Sequence, residues 1–71
     1  MMPISYDRLW KILIDKKMTR IDLKDVAGVS FNVIAKMGKN EFVSMVSLYK
    51  ICVALNCGIN DVVEFTNYEH D

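Results

Sequence analysis

The sequence predicts an all-α domain of five short helices, and three observations carry that prediction. Apolar residues recur at helical spacing from Ser5 onward. Serine or threonine stands just before several of these runs, and glycine or asparagine just after them. No segment alternates with period two for long enough to compete as a strand.

In the first helix Tyr6, Leu9, Trp10 and Leu13 fall at i, i+3, i+4 and i+7, with Ser5 as N-cap. Ile12 and Ile14 widen that stripe, and Met18 packs where the helix ends. Thr19 opens the second helix, with Asp22 completing a short form of the capping box. Leu23, Val26 and Ala27 form its buried edge, and Gly28 ends it in the left-handed conformation. Ser30 caps a third helix that buries Ile34 and Met37 and that Gly38 closes. After a loop through residues 39–43, Ser44 caps the fourth helix. Its Leu48, Ile51, Cys52 and Leu55 make the cleanest stripe in the chain, and Asn56 terminates it. Ile59, Val62 and Val63 give a fifth short amphipathic turn, and residues 66–71 read as a frayed tail.

A chain of 71 residues is one domain, 1–71, with its folded core expected over 5–64. A domain this small needs staples or efficient packing. Cys52 and Cys57 lack CxxC spacing and His70 is one residue from the end, so neither a zinc site nor another cofactor is expected. Two reduced thiols, with no signal peptide or membrane run, fit a cytoplasmic protein. No small-molecule ligand or membrane partner is expected. An enzyme is disfavoured, because catalysis needs acids, bases or a nucleophile arranged in a pocket. Net charge is zero, but its distribution is uneven. Lys16, Lys17, Arg20, Lys24, Lys36 and Lys39 face only Asp22 and Asp25 in the middle of the chain, and no cation follows Lys50. A basic middle with an acidic tail is a pattern that small nucleic-acid binders show, although uneven solvated charge explains it as well.

Two helices joined by "AGVS" have the sequence form of a helix-turn-helix. Over residues 5–64, and most specifically in "TRIDLKDVAGVSFNVIAKMGKN", the chain resembles the lambda-repressor/Cro-like (XRE-type) DNA-binding domains. The resemblance implies a five-helix lambda-repressor-like bundle with the motif at about residues 20–38. It matches Gly28 to the turn glycine and Leu23, Val29, Ile34 and Met37 to the buried positions around it. Lys24 departs from the family's usual alanine at the approach of the two helices. A lysine is tolerated there if its methylenes lie along the neighbouring helix and its ammonium stays wet.

The resemblance assigns base reading to Phe31, Asn32, Val33, Ala35 and Lys36. The chemistry fits: asparagine pairs with adenine edges, lysine donates to guanine, and Phe, Val and Ala pack on thymine methyls. It matches Arg20 to a phosphate-contacting position, and Ser30 at the helix start and Lys39 and Asn40 flanking the helix are expected at phosphates as well. No carboxylate lies between Val26 and Asn40, and the capped helix start at Ser30 adds a positive dipole end. Simpler readings stand beside these. Phe31 and Val33 are also consistent with a rotated helix that buries them, and Lys36 and Lys39 with ordinary solvated lysines.

The fourth helix carries a second apolar set, Met45, Val46, Tyr49 and Val53, followed later by Phe65 and Tyr68. Either these cover the first helix, Trp10 especially, or Val46, Tyr49, Val53 and Phe65 form a homodimer interface. Dimers of this family hold two recognition helices about 34 Å apart, one duplex turn. The sequence therefore points to a double-stranded-DNA-binding transcriptional regulator, most simply a repressor, acting as a homodimer on a near-palindromic operator. The alternative is a protein-interaction module on the same fold, antitoxin-like or anti-repressor.

Overall fold

The computed structural model describes residues 4–66. Four α-helices carry the structure: α1 (Asp7–Asp15), α2 (Arg20–Ala27), α3 (Phe31–Gly38) and α4 (Met45–Leu55). A single 3-10 turn, Ile59–Asp61, replaces the fifth helix expected from the sequence. Gly58 precedes it and the chain is extended again by Glu64. The segment makes one turn, in which Ile59 O accepts from both the Val62 and the Val63 N–H at 3.0 Å, and does not propagate into a helix. Asp61 Oδ2 accepts the Gly58 N–H at 3.1 Å and closes the turn. Val62, wholly buried, anchors it to the core.

The all-α class holds, with one small addition that the sequence did not show. β1 (Ile4–Ser5) pairs antiparallel with β2 (Glu64–Phe65), Ile4 opposite Phe65 and Ser5 opposite Glu64. Two-residue strands are too short to show a period of two. Their pairing is a consequence of where the chain returns in space, which local patterning does not encode. The strand also displaces the first cap: Tyr6, not Ser5, occupies the N-cap position and makes no side-chain cap bond. Ser5 still contributes from one residue earlier, its Oγ accepting the Asp7 N–H at 3.1 Å.

The remaining helix starts follow the sequence. Thr19 Oγ1 accepts from the Asp22 N–H at 3.0 Å while Asp22 Oδ2 accepts from the Thr19 N–H at 2.9 Å, a complete capping box. Ser30 and Ser44 cap α3 and α4 through the backbone N–H groups of Val33 and Ser47. Asn56, at φ 54°, ends α4 in the left-handed conformation. Gly38 ends α3 as expected, as its last helical residue, but the left-handed residue falls two positions later at Asn40, at φ 57°. At the end of α1, Lys17 adopts φ 58°, and the Met18 N–H reaches Leu13 O at 2.8 Å, which brings Met18 back onto the core.

Leu9 and Leu13 of α1, Leu23 and Ala27 of α2, Ile34 and Met37 of α3, and Leu48, Ile51 and Leu55 of α4 converge in one core with Ile4, Tyr6 and Val62. Two apolar expectations fail here. Val26 is 58% exposed, because α2 spans eight residues and Leu23 with Ala27 already fills its contact with α3 and α4. Ile14 also faces outward, while Ile12 does reach the core. Cys52 is half-buried at the margin of the α4 stripe, and burial pushes both the Cys52 and the Cys57 thiol up in pKa, so both stay protonated at neutral pH.

Tyr6 ties the start of α1 to the loop after α3. Its hydroxyl donates to Glu41 O at 2.8 Å, and its N–H donates to Asn40 Oδ1 at 3.4 Å. Burial raises the phenol above its ordinary pKa of 10.0. The unfolded chain therefore loses this proton first, and stability is full below pH 10 and declines as pH rises toward the folded pKa. Tyr6→Phe is expected to cost about 1 kcal/mol at neutral pH and to flatten that alkaline decline, read from denaturant melts between pH 7 and 11. Gly28→Ala is expected to cost roughly 1–2 kcal/mol for conformation alone, since no atom lies within 4 Å of the position its Cβ would take. Chemical denaturation reads that loss directly.

Candidate nucleic-acid interface

The interface is built on two helices and the turn between them. Gly28, at φ 70°, turns the chain out of α2 within one residue. Val29 packs half-buried on the core, and Ser30 restarts the helix. Leu23 on α2 and Ile34 with Met37 on α3 then meet inside, which fixes the roll of α3 about its own axis. Lys24 is accommodated at this crossing. Its side chain is 31% exposed, and its Nζ lies 3.1 Å from Asp25 Oδ1, so the charge remains at the surface.

With the roll fixed, α3 turns Phe31, Asn32, Ala35 and Lys36 outward. Phe31 is 61% exposed, which removes the reading of it as a core residue. Val33 sits at the margin, half-buried and packed on the core, so only part of its surface faces out. A large aromatic on an exposed helical face has no packing role within this domain, and its hydrophobic area stays available for contact.

The four residues expected at phosphates are distributed around that face. Ser30 Oγ is already engaged, accepting the Val33 N–H at 3.3 Å, but the first N–H groups of α3 have no intrahelical partner. Lys39 stands exposed just beyond α3, and neither it nor Lys36 is in an ion pair among the described residues. Asn40 is half-buried and its carboxamide oxygen serves Tyr6, so it has a structural role that the sequence did not reveal. Arg20 is exposed at the start of α2 with its guanidinium 3.8 Å above the Trp10 ring. That stacking was also missed, since nothing in the spacing of Trp10 and Arg20 links them.

On α4, Val46, Tyr49 and Val53 are all exposed, Tyr49 by 68%, and Phe65 is exposed on β2. They do not cover α1, and the Trp10 ring is covered by Arg20 instead. Met45, Phe42, Ile59 and Phe65 border an apolar groove of ≈ 290 Å³ over Tyr6 and Leu48. Tyr68 lies outside the described residues. Among the described residues no helix is long and apolar enough to cross a membrane, and no cluster of three or more metal-ligating side chains occurs.

A short helix seated on a tight glycine turn, with one face buried and an uncharged-to-basic face exposed, defines the helix-turn-helix class of DNA-binding folds. The chain belongs to the Cro/C1-type helix-turn-helix DNA-binding domain family, whose pattern it matches over residues 8–67. It is similar to a crystal structure of the transcriptional regulator VanUg, with 47% sequence identity and a TM-score of 0.83. That similarity covers 87% of this chain and 83% of the other. No curated protein matches the chain.

The two faces of α3 separate in experiment. Met37→Ala, which truncates a fully buried side chain, is expected to cost about 2–5 kcal/mol. Phe31→Ala is expected to change stability by less than about 0.5 kcal/mol, since its ring faces solvent. Urea denaturation of the two variants gives both values.

Proposed function

We propose that this chain is a transcriptional regulator that binds duplex DNA by sequence, with α3 in the major groove. The observation that carries the reading is the outward face of α3, where Phe31, Asn32, Ala35 and Lys36 stand exposed on a stretch without carboxylates. Membership in the Cro/C1-type family and the likeness to a transcriptional regulator support it. Asn32 pairs with an adenine edge, Lys36 donates to guanine, and Phe31 and Ala35 pack on thymine methyls, with Val33 contributing from its exposed margin. Lys39 and Arg20, helped by the N–H groups behind Ser30 and by the outer edge of Asn40, hold the backbone and set the register without reading sequence.

The exposed α4 stripe supports a homodimer. Val46, Tyr49, Val53 and Phe65 present apolar area that the domain itself does not bury. A two-fold pairing through it doubles a weak half-site interaction and selects a near-palindromic operator. Occlusion of a promoter is the simplest regulatory consequence, and the cytoplasm, where thiols such as Cys52 and Cys57 stay reduced, is the compartment that suits it.

Asn32→Ala and Lys36→Ala are each expected to reduce discrimination between a selected operator and a scrambled duplex by roughly 1–3 kcal/mol, the worth of one bidentate pairing with a base edge. Lys39→Ala is expected to weaken both duplexes alike and to lower the salt slope by about 0.9. In-vitro selection followed by anisotropy titrations at several salt concentrations provides the test. Equal losses on both duplexes for all three variants would contradict the division of roles.

A further inference from the structure

Arg20 is held by an aromatic ring and not by a carboxylate. Its guanidinium carbon lies 3.8 Å from the centroid of Trp10. Its Nη1 is so close to the end of α3 that a Cβ on Gly38 would stand 2.9 Å away. Three helices therefore meet at one guanidinium, through Trp10 on α1, Arg20 on α2 and Gly38 on α3.

The nearby acids are occupied elsewhere. Asp22 Oδ2 accepts the Thr19 N–H, and Asp25 pairs with Lys24. Among the described residues the ion pairs are Arg8–Glu64 and Lys24–Asp25, and Arg20 is in neither. A guanidinium donates only in its own plane. A ring on its face consequently orders the group while leaving its in-plane N–H groups available. A carboxylate would also have ordered it, but would have neutralised the charge and occupied the donors. An arginine ordered in advance also loses less side-chain freedom on binding.

Gly38 gains its meaning here. It is the last residue of α3 and does not lie in the left-handed region, so its backbone does not require glycine. The space above it is what Arg20 uses. We propose that Trp10 and Gly38 are positioning residues that hold Arg20 as a preformed clamp for one backbone phosphate of duplex DNA. This rests on the DNA-binding reading of α3, beside whose last turn the clamp lies.

Trp10→Leu keeps apolar volume but removes the π face, Trp10→Phe keeps a π face, and Gly38→Ala fills the space. Binding is measured by anisotropy on operator and scrambled duplexes across a salt series. Trp10→Leu and Gly38→Ala are each expected to flatten the salt slope by about 0.9, one phosphate's worth, on both duplexes. Trp10→Phe keeps the wild-type slope, and adding Trp10→Leu to Arg20→Gln causes no further loss. Gly38→Ala is expected to melt no lower than wild type, because alanine is favoured over glycine within a helix, so its binding defect is not a folding defect. Trp10 is the single tryptophan, and its emission changes on adding duplex to wild type but not to Arg20→Gln. This readout remains decisive if Trp10→Leu fails to fold. Wild-type slopes in Trp10→Leu and Gly38→Ala, or losses that add to that of Arg20→Gln, overturn the clamp alone. A wild-type protein that binds no duplex overturns the DNA-binding reading and the clamp with it.

Discussion

The left-handed conformation of Gly28, at φ 70°, is the constraint on which the outward face of α3 depends. It reverses the chain within the space of one residue, so that Leu23 on α2 and Ile34 with Met37 on α3 are brought to a common interior. Once those side chains are buried, the rotation of α3 is no longer free. A turn of about 100° per residue separates Met37 from Lys36, so a roll of that size would bury the lysine and expose the methionine. The glycine thus acts on the surface chemistry indirectly, through a backbone dihedral and three buried side chains.

Beyond the local caps and the Lys24–Asp25 pair, a few polar interactions join distant parts of the chain. Tyr6 connects the start of α1 to the backbone beyond α3 through Glu41 and Asn40. Arg8 reaches Asn60 O at 3.0 Å and Glu64 at 3.3 Å, binding α1 to the 3-10 turn and to β2. These contacts close a small domain whose described cysteines are free thiols. The exposed ion pair contributes little energy by itself. Its value is in fixing which segments lie together, as the hydrogen bonds of Tyr6 do with more burial behind them.

The helix boundaries near caps were legible in the sequence because caps are local. Thr19 with Asp22, Ser30, Ser44, Gly28 and Asn56 each satisfy or terminate backbone groups within a few residues, and each does so in the structure. Failures occurred where a local signal had a non-local cause. Ser5 was displaced as a cap by a strand whose partner lies some sixty residues away. Gly38 ends α3, but local spacing did not show that Arg20, a residue on another helix, lies close beside it. Asn40 resembled a surface polar residue, yet it carries the left-handed turn and accepts from Tyr6.

By itself the sequence determined the helical class, the positions of α2, α3 and α4, the turn at Gly28 and the absence of acid along α3. These follow from propensities, caps and periodicity, which act over one or two turns of chain. Only the tertiary structure decided that Phe31 faces solvent, that the second stripe of α4 is left uncovered, and that Arg20 lies over Trp10. Periodicity identifies which residues share a face but not what lies opposite it. That depends on how much surface the other helices are able to bury, and here four short helices and one 3-10 turn leave several large apolar side chains outside.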